Sequence, residues 1–196
     1  MTRKWVLACS HNKVTIEDYR CALTEMECFT IFEALDLIDF YLERSLAKSC
    51  NMGDDLSSYG WKGSSELGKL EKAIKNYIGV SDEQFLIAKT GAFPKTLKRF
   101  GYDNNRPICI DCPRVAITIE FTVSEGVIKP RKGSTRIECF LRHIRNAIAH
   151  GNTFFFPNNN VLFLDRKDKN VTGFILMPSK ALISIKKLIQ CGKEAR

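Results

Sequence analysis

Residues 134–152, STRIECFLRHIRNAIAHGN, constrain the fold more tightly than any other part of the chain. Thr135 and Glu138 have capping-box spacing, and Pro130, Gly133 and Ser134 before them read as a break. Ile137, Phe140, Leu141, Ile144 and Ile148 then recur at helical spacing and make one apolar stripe. Gly151 stands where a left-handed cap is expected, and Pro157 forbids much further extension. The spacing therefore predicts a helix whose stripe faces a core. Asn146 and His150 are four apart and share a face, His143 lies seven before His150 on roughly the same strip, and Arg145 flanks it.

The rest of the chain reads as a scaffold for this helix. Trp5 to Cys9 suggests a short strand or extended arm. From Thr15 to about Lys48 apolar residues keep a helical period, which predicts one long helix or two broken in the middle. A Gly-, Ser- and Asp-rich loop over 51–65 precedes a helix at Ser65–Ile78 with Leu67, Leu70, Ile74 and Tyr77 inward. Further helices are expected at Ser81–Lys89 and Pro94–Phe100, then a loop over Gly101–Pro113. The period changes to two at Arg114–Ser124, which predicts a strand turning at Glu125-Gly126 into Val127–Lys129. Val161–Leu164 and Thr172–Met177 read as a hairpin around DRKDKN, and Ala181–Gln190 as a closing amphipathic helix. The expected fold is one mainly α domain over residues 1–196, a helical bundle with small β-hairpin insertions.

At 196 residues a single domain, or one with an elaborated insert, is expected. No apolar run reaches the length of a membrane span, and the apolar patch in MTRKWVLACSHNK is too short for a signal peptide. A cytoplasmic chain is expected, in which the 8 cysteines are reduced thiols. The net charge of +8 favours an acidic partner such as nucleic acid.

Chemistry concentrates at the end of the predicted helix. Cleaving RNA without a metal requires a base for the 2′-OH proton and a cation for the developing phosphorane charge. Histidine suits the first task because it titrates near neutral pH. Arginine suits the second because it stays charged and offers a fork to phosphate oxygens. His150 and Arg145 are the candidates, with Asn146 orienting one of them by a hydrogen bond. On spacing alone the pair fits equally well a surface arginine and a histidine favoured by the helix C-terminal dipole.

Arg145-Asn146-x3-His150, its Gly151-Asn152 continuation and the following hairpin and terminal helix resemble the HEPN family. That family carries an Arg, a polar residue and then a His late in a helical bundle. Arg136…His143 also falls within the family's looser spacing, but Ile137 follows that arginine where a polar residue belongs. The resemblance implies a homodimer whose two motif helices meet at a twofold, so that two Arg–His sets form one cleft. It also implies a metal-independent endoribonuclease with no cofactor, leaving 2′,3′-cyclic phosphate and 5′-hydroxyl ends. A defence or toxin role, with an antitoxin or regulatory partner, goes with it. So does the alternative of a noncatalytic dimeric interaction or nucleic-acid-binding module, since many HEPN domains are not nucleases.

Other features are weaker. Lys129, Arg131, Lys132, Arg136, Arg142 and Arg145 form a basic run into and along the motif helix. It is a solvated face or a grip on the RNA backbone, for which Lys132, Arg136, Arg142, His143 and Asn152 are the candidate contacts. Phe154, Phe155 and Phe156 suit base stacking, or core and dimer contacts for at least two of them. Cys109-x2-Cys112 reads as two reduced thiols, or as half of a zinc site that Cys139 and His143 would complete. The carboxylates form no catalytic cluster, and the glycine-containing loop lacks a phosphate-binding spacing.

Overall fold

The computed structural model describes residues 12–43, 56–102, 106–119 and 135–192, together with two short strands at 121–124 and 127–130. Trp5–Cys9, Glu125-Gly126 and Lys132 lie outside the described residues. In chain order the strands are β1 (Lys13–Val14), β2 (Phe85–Ala88), β3 (Ile108–Cys109), β4 (Arg114–Thr118), β5 (Phe121–Ser124), β6 (Val127–Pro130), β7 (Thr153–Phe155), β8 (Asn160–Lys167) and β9 (Asn170–Pro178). The α-helices are α1 (Ile31–Ile38), α2 (Gly63–Ile78), α3 (Phe93–Arg99), α4 (Arg136–Ala149) and α5 (Ala181–Cys191).

The centre of the molecule is a sheet, which corrects the expected helical bundle. Five strands run in the order β2-β4-β9-β8-β7, with β2 parallel to β4 and the other pairings antiparallel. The physical reason lies in residue burial. Val115, Ile117, Val161, Phe163, Ile175 and Met177 pack on the face that carries α4, α2 and α5. Ala116, Leu162, Leu164, Phe174 and Leu176 pack on the opposite face with Phe93 and Leu97 of α3. A sheet covered on both faces buries its strands continuously, so the hairpin is the middle of the fold and not an appendage.

The motif helix forms as its sequence predicts. The Thr135 hydroxyl accepts from the Glu138 N–H at 3.3 Å and the Thr135 N–H donates to the Glu138 carboxylate at 2.9 Å. Ile137, Phe140, Leu141 and Ile144 are buried, each worth about 1.5–3 kcal/mol of transfer free energy. Gly151 takes φ 61° and ends the helix in the left-handed conformation.

Elsewhere the local pattern misleads. The long N-terminal helix is instead two 3₁₀ turns (Ile16–Tyr19 and Leu23–Glu25), α1, and a π turn over Asp39–Glu43. Cys21 pairs its backbone N–H with Thr153 at the sheet edge, and a second capping box at Thr30 and Glu33 starts α1 afresh. The expected helix at Ser81–Lys89 is a 3₁₀ turn followed by β2, whose four apolar or small residues carry no usable period. Arg114–Ser124 is two strands, with β5 pairing β6 as a separate hairpin. Tyr77, expected inward, is 48 % exposed.

Residues 106–113 hold β3, which pairs with β1, and lie against a buried arginine. Arg114 donates from Nε to the Phe100 carbonyl (3.1 Å), from Nη1 to Cys112 (2.7 Å) and from Nη2 to Cys109 (3.1 Å). The cysteines here thus lend their carbonyls to a guanidinium. Cys139 packs in the α4-side cluster, while Ile108 and Ile110 beside Cys109 pack in the other. Among the described residues no three His, Cys, Asp or Glu side chains are grouped to hold a metal.

Candidate functional site

The site is assembled where α4 crosses the inner face of β4, β9 and β8. Strand alternation and register place Ile117, Gly173 and Asp165 side by side in one row across the three strands. His143 of α4 lies over that row. A Cβ on Gly173 would sit 2.7 Å from His143 Cγ, so only a glycine leaves room for the ring.

His143 is 3 % exposed and bonded at both ring nitrogens. Nδ1 lies 2.6 Å from Asp165 Oδ2, and Nε2 lies 3.0 Å from the Thr118 carbonyl oxygen. One turn on, the Asn146 amide donates to the same Asp165 Oδ2 at 3.2 Å, and its Oδ1 accepts from Arg145 Nη1 at 3.2 Å. Arg145 is half-buried, and its Nε is buried without a hydrogen-bond partner among the described residues. Burial pushes the Asp165 carboxyl up, but the hydrogen bond and charge of His143, with the Asn146 and Thr172 bonds, outweigh it and hold the group below its ordinary value.

His150 is the C-cap residue of α4 and is exposed, with its backbone N–H on the Asn146 carbonyl at 3.0 Å. Such an imidazole is open to a substrate hydroxyl. The loop after it is clamped from the N-terminal segment. Arg20 Nη1 donates to the Gly151 carbonyl (2.9 Å) and to Asn152 Oδ1 (3.0 Å), and its guanidinium lies 5.0 Å from the Phe154 ring centroid. Thr153 Oγ1 bonds the Cys21 carbonyl on the same edge.

Arg145, Asn146 and His150 therefore share one helix end, whereas the other candidates part ways. The strip of His143, Asn146 and His150 exists, but it descends into the core, so His143 is not a surface contact. Arg136 points to α2, where its Nε pairs with Glu71 at 2.9 Å. Arg142 remains half-buried on α4 with Nη2 3.6 Å from Cys139 Sγ. Asn152 is occupied by Arg20. Phe154 and Phe156 are core residues, and Phe155 is partly buried. A cavity of ≈ 370 Å³ lies between α3 and the start of β9, lined by Lys98, Thr118, Lys169 and Thr172 among others; it includes neither Arg145 nor His150.

Asp165, Thr118, Gly173 and Arg20 were not read from the sequence as site residues. A signal for two of them was present: Asp165 and Gly173 continue the inward-facing alternation of Val161 and Phe163 and of Ile175 and Met177. A carboxylate and a glycine on a core face call for a partner.

The family profile described as HEPN pEK499 p136 matches residues 57–194, well over half of the chain, and the chain belongs to that family. No curated protein and no solved structure matches it. Arg20 and α1 precede the matched region. Membership is consistent with a nuclease or with a dimeric module. No helix among the described residues is long and apolar enough to cross a membrane.

Proposed function

We propose that the chain is a metal-independent endoribonuclease of HEPN type, acting as a homodimer. The observation that carries this reading is that one helix end bears both an exposed histidine, His150, and a half-buried guanidinium, Arg145, held by an internal hydrogen-bond chain. His150 takes the 2′-OH proton, the 2′-oxygen attacks the adjacent phosphorus, and the 5′-oxygen leaves. Arg145 stabilises the charge gathering on the non-bridging oxygens. The imidazolium of the second copy protonates the departing oxygen. The products are a 2′,3′-cyclic phosphate and a 5′-hydroxyl. In this reading Arg142, half-buried on the same helix, turns to the RNA backbone, whereas Arg136, paired with Glu71, contributes less. An activity of this kind suits a defence or toxin protein held in check by an antitoxin or regulatory protein.

The test is RNA cleavage in EDTA by the wild type and by His150→Ala, with the product ends mapped. Removing a general base costs about 10²–10⁴ in rate, so the variant should lose cleavage while remaining dimeric. Strict metal dependence, or a variant that cuts as well as the wild type, would sink the reading. A noncatalytic dimeric module is the rival. It is favoured by the apolar side chains Ile31, Phe32 and Leu35, exposed together on α1. Tight RNA binding without cleavage would support it.

A further inference from the structure

We propose that His143 is a positioning residue held as an imidazolium, forming with Asp165 a buried ion pair that fixes the Asn146 amide and, through it, the Arg145 guanidinium. Its catalytic consequence rests on the nuclease reading above; the arrangement itself does not.

The hydrogen-bond polarity leaves little choice. Two Thr118 oxygens approach Nε2 of His143, the hydroxyl at 3.4 Å and the carbonyl at 3.0 Å; the carbonyl, which can only accept, makes the shorter contact and places a proton on Nε2. Asp165 Oδ2 receives two contacts, from His143 Nδ1 and from the Asn146 side chain. At 2.6 Å the Nδ1–Oδ2 contact holds one proton, and the low-lying carboxyl of Asp165, its charged form favoured despite burial, leaves that proton on the ring. The ring therefore donates at both nitrogens. Asn146 is then oriented from both sides. A carboxylate only accepts, so it faces the NH₂; a guanidinium only donates, so it faces the oxygen. Every member of the chain has one allowed orientation.

The surroundings show why the pair is confined. Thr118 of β4, Asp165 of β8 and Gly173 of β9 surround the ring, and among its hydrogen-bonding partners Asp165 is the titratable one. Gly173 admits the ring with no space to spare. Removing either charge of such a pair leaves the other buried and unpaired. The chain thus carries order from the sheet to the Nη1 end of the Arg145 guanidinium.

The test is NMR of the full chain labelled with ¹⁵N in histidine and arginine, on the wild type, Asp165→Asn and Asn146→Ala. In the wild type at neutral pH, both His143 ring nitrogens should give protonated-type signals, and Arg145 Nη1 a resolved, slowly exchanging one. Asn146→Ala should keep the His143 signature and collapse the Arg145 signal towards that of a free arginine. Asp165→Asn should lose both; if it fails to fold, Asn146→Ala alone decides. A His143 ring with one bare nitrogen at neutral pH overturns the proposal, as does an Arg145 signal unmoved in Asn146→Ala.

Cleavage supplies a separate arm. Where the wild type cuts RNA, Asn146→Ala should cut at least about tenfold more slowly with RNA affinity retained. An unchanged rate overturns the positioning role. A wild type that does not cut removes the nuclease reading alone, and the NMR result still decides the chain.

Discussion

Gly173→Ala is the sharpest perturbation of the scaffold beneath the site. The added methyl would lie 2.7 Å from both Cγ and Nδ1 of His143 and 2.9 Å from its Cβ, well inside contact distance. The atoms it meets belong to a ring pinned at both nitrogens, so the ring cannot swing aside without losing a bond. Overpacking of this kind costs about 1–3 kcal/mol. Displacing Nδ1 from the Asp165 carboxylate forfeits a buried charged hydrogen bond, about 1.5–3 kcal/mol more. The sum, about 2.5–6 kcal/mol, corresponds to a fall in Tm of about 5–24 °C for a chain of this length. Thermal unfolding followed by circular dichroism measures it. Two other glycines serve as controls with opposite geometry. Gly91 has open space and an ordinary φ, so Gly91→Ala should leave Tm within about 2 °C. Gly151 has open space but φ +61°, so Gly151→Ala should cost about 1 kcal/mol from backbone strain alone. A Gly173→Ala Tm no lower than that of Gly91→Ala would refute the close approach on which the site's geometry rests.

The remaining predictions are independent of one another. Arg20→Ala removes the bonds to Gly151 and Asn152; because the arginine is largely exposed, the loss should be only about 1 kcal/mol, but hydrogen exchange at 151–153 should quicken measurably. Thr135→Ala deletes the cap of α4 and should cost about 1 kcal/mol in denaturant unfolding, with the m-value unchanged. Asp165, with its folded pKa depressed, contributes stability that is present above its unfolded pKa of about 3.9 and is lost as pH falls through the lower folded value. Acid unfolding of Asp165→Asn should accordingly be less steep than that of the wild type below about pH 4. Equal slopes would show that the carboxylate is not held as described.

The sequence by itself determined the elements whose causes are local. The capping box at Thr135 and Glu138, the apolar stripe from Ile137 to Ile148 and the stop at Gly151 lie within one helix, and α4 forms with those bounds. The alternation around DRKDKN likewise places β8 and β9, and Arg145, Asn146 and His150 follow from the motif helix. Tertiary structure decided what depends on partners far along the chain. Phe85–Ala88 is a strand because β4, about 30 residues later, offers it a ladder, and its own four residues have no period to announce it. Residues 16–29 break into turns because Cys21 and Arg20 pair with the edge at 153–154, over 130 residues away. The burial of His143 was settled the same way. Helical spacing placed it on the strip with His150, but only the sheet supplied Asp165 and the Thr118 carbonyl as acceptors and the bare Gly173 as space. A helix motif can specify which side chains share a face. Whether that face meets water or a carboxylate depends on the surface the helix packs against.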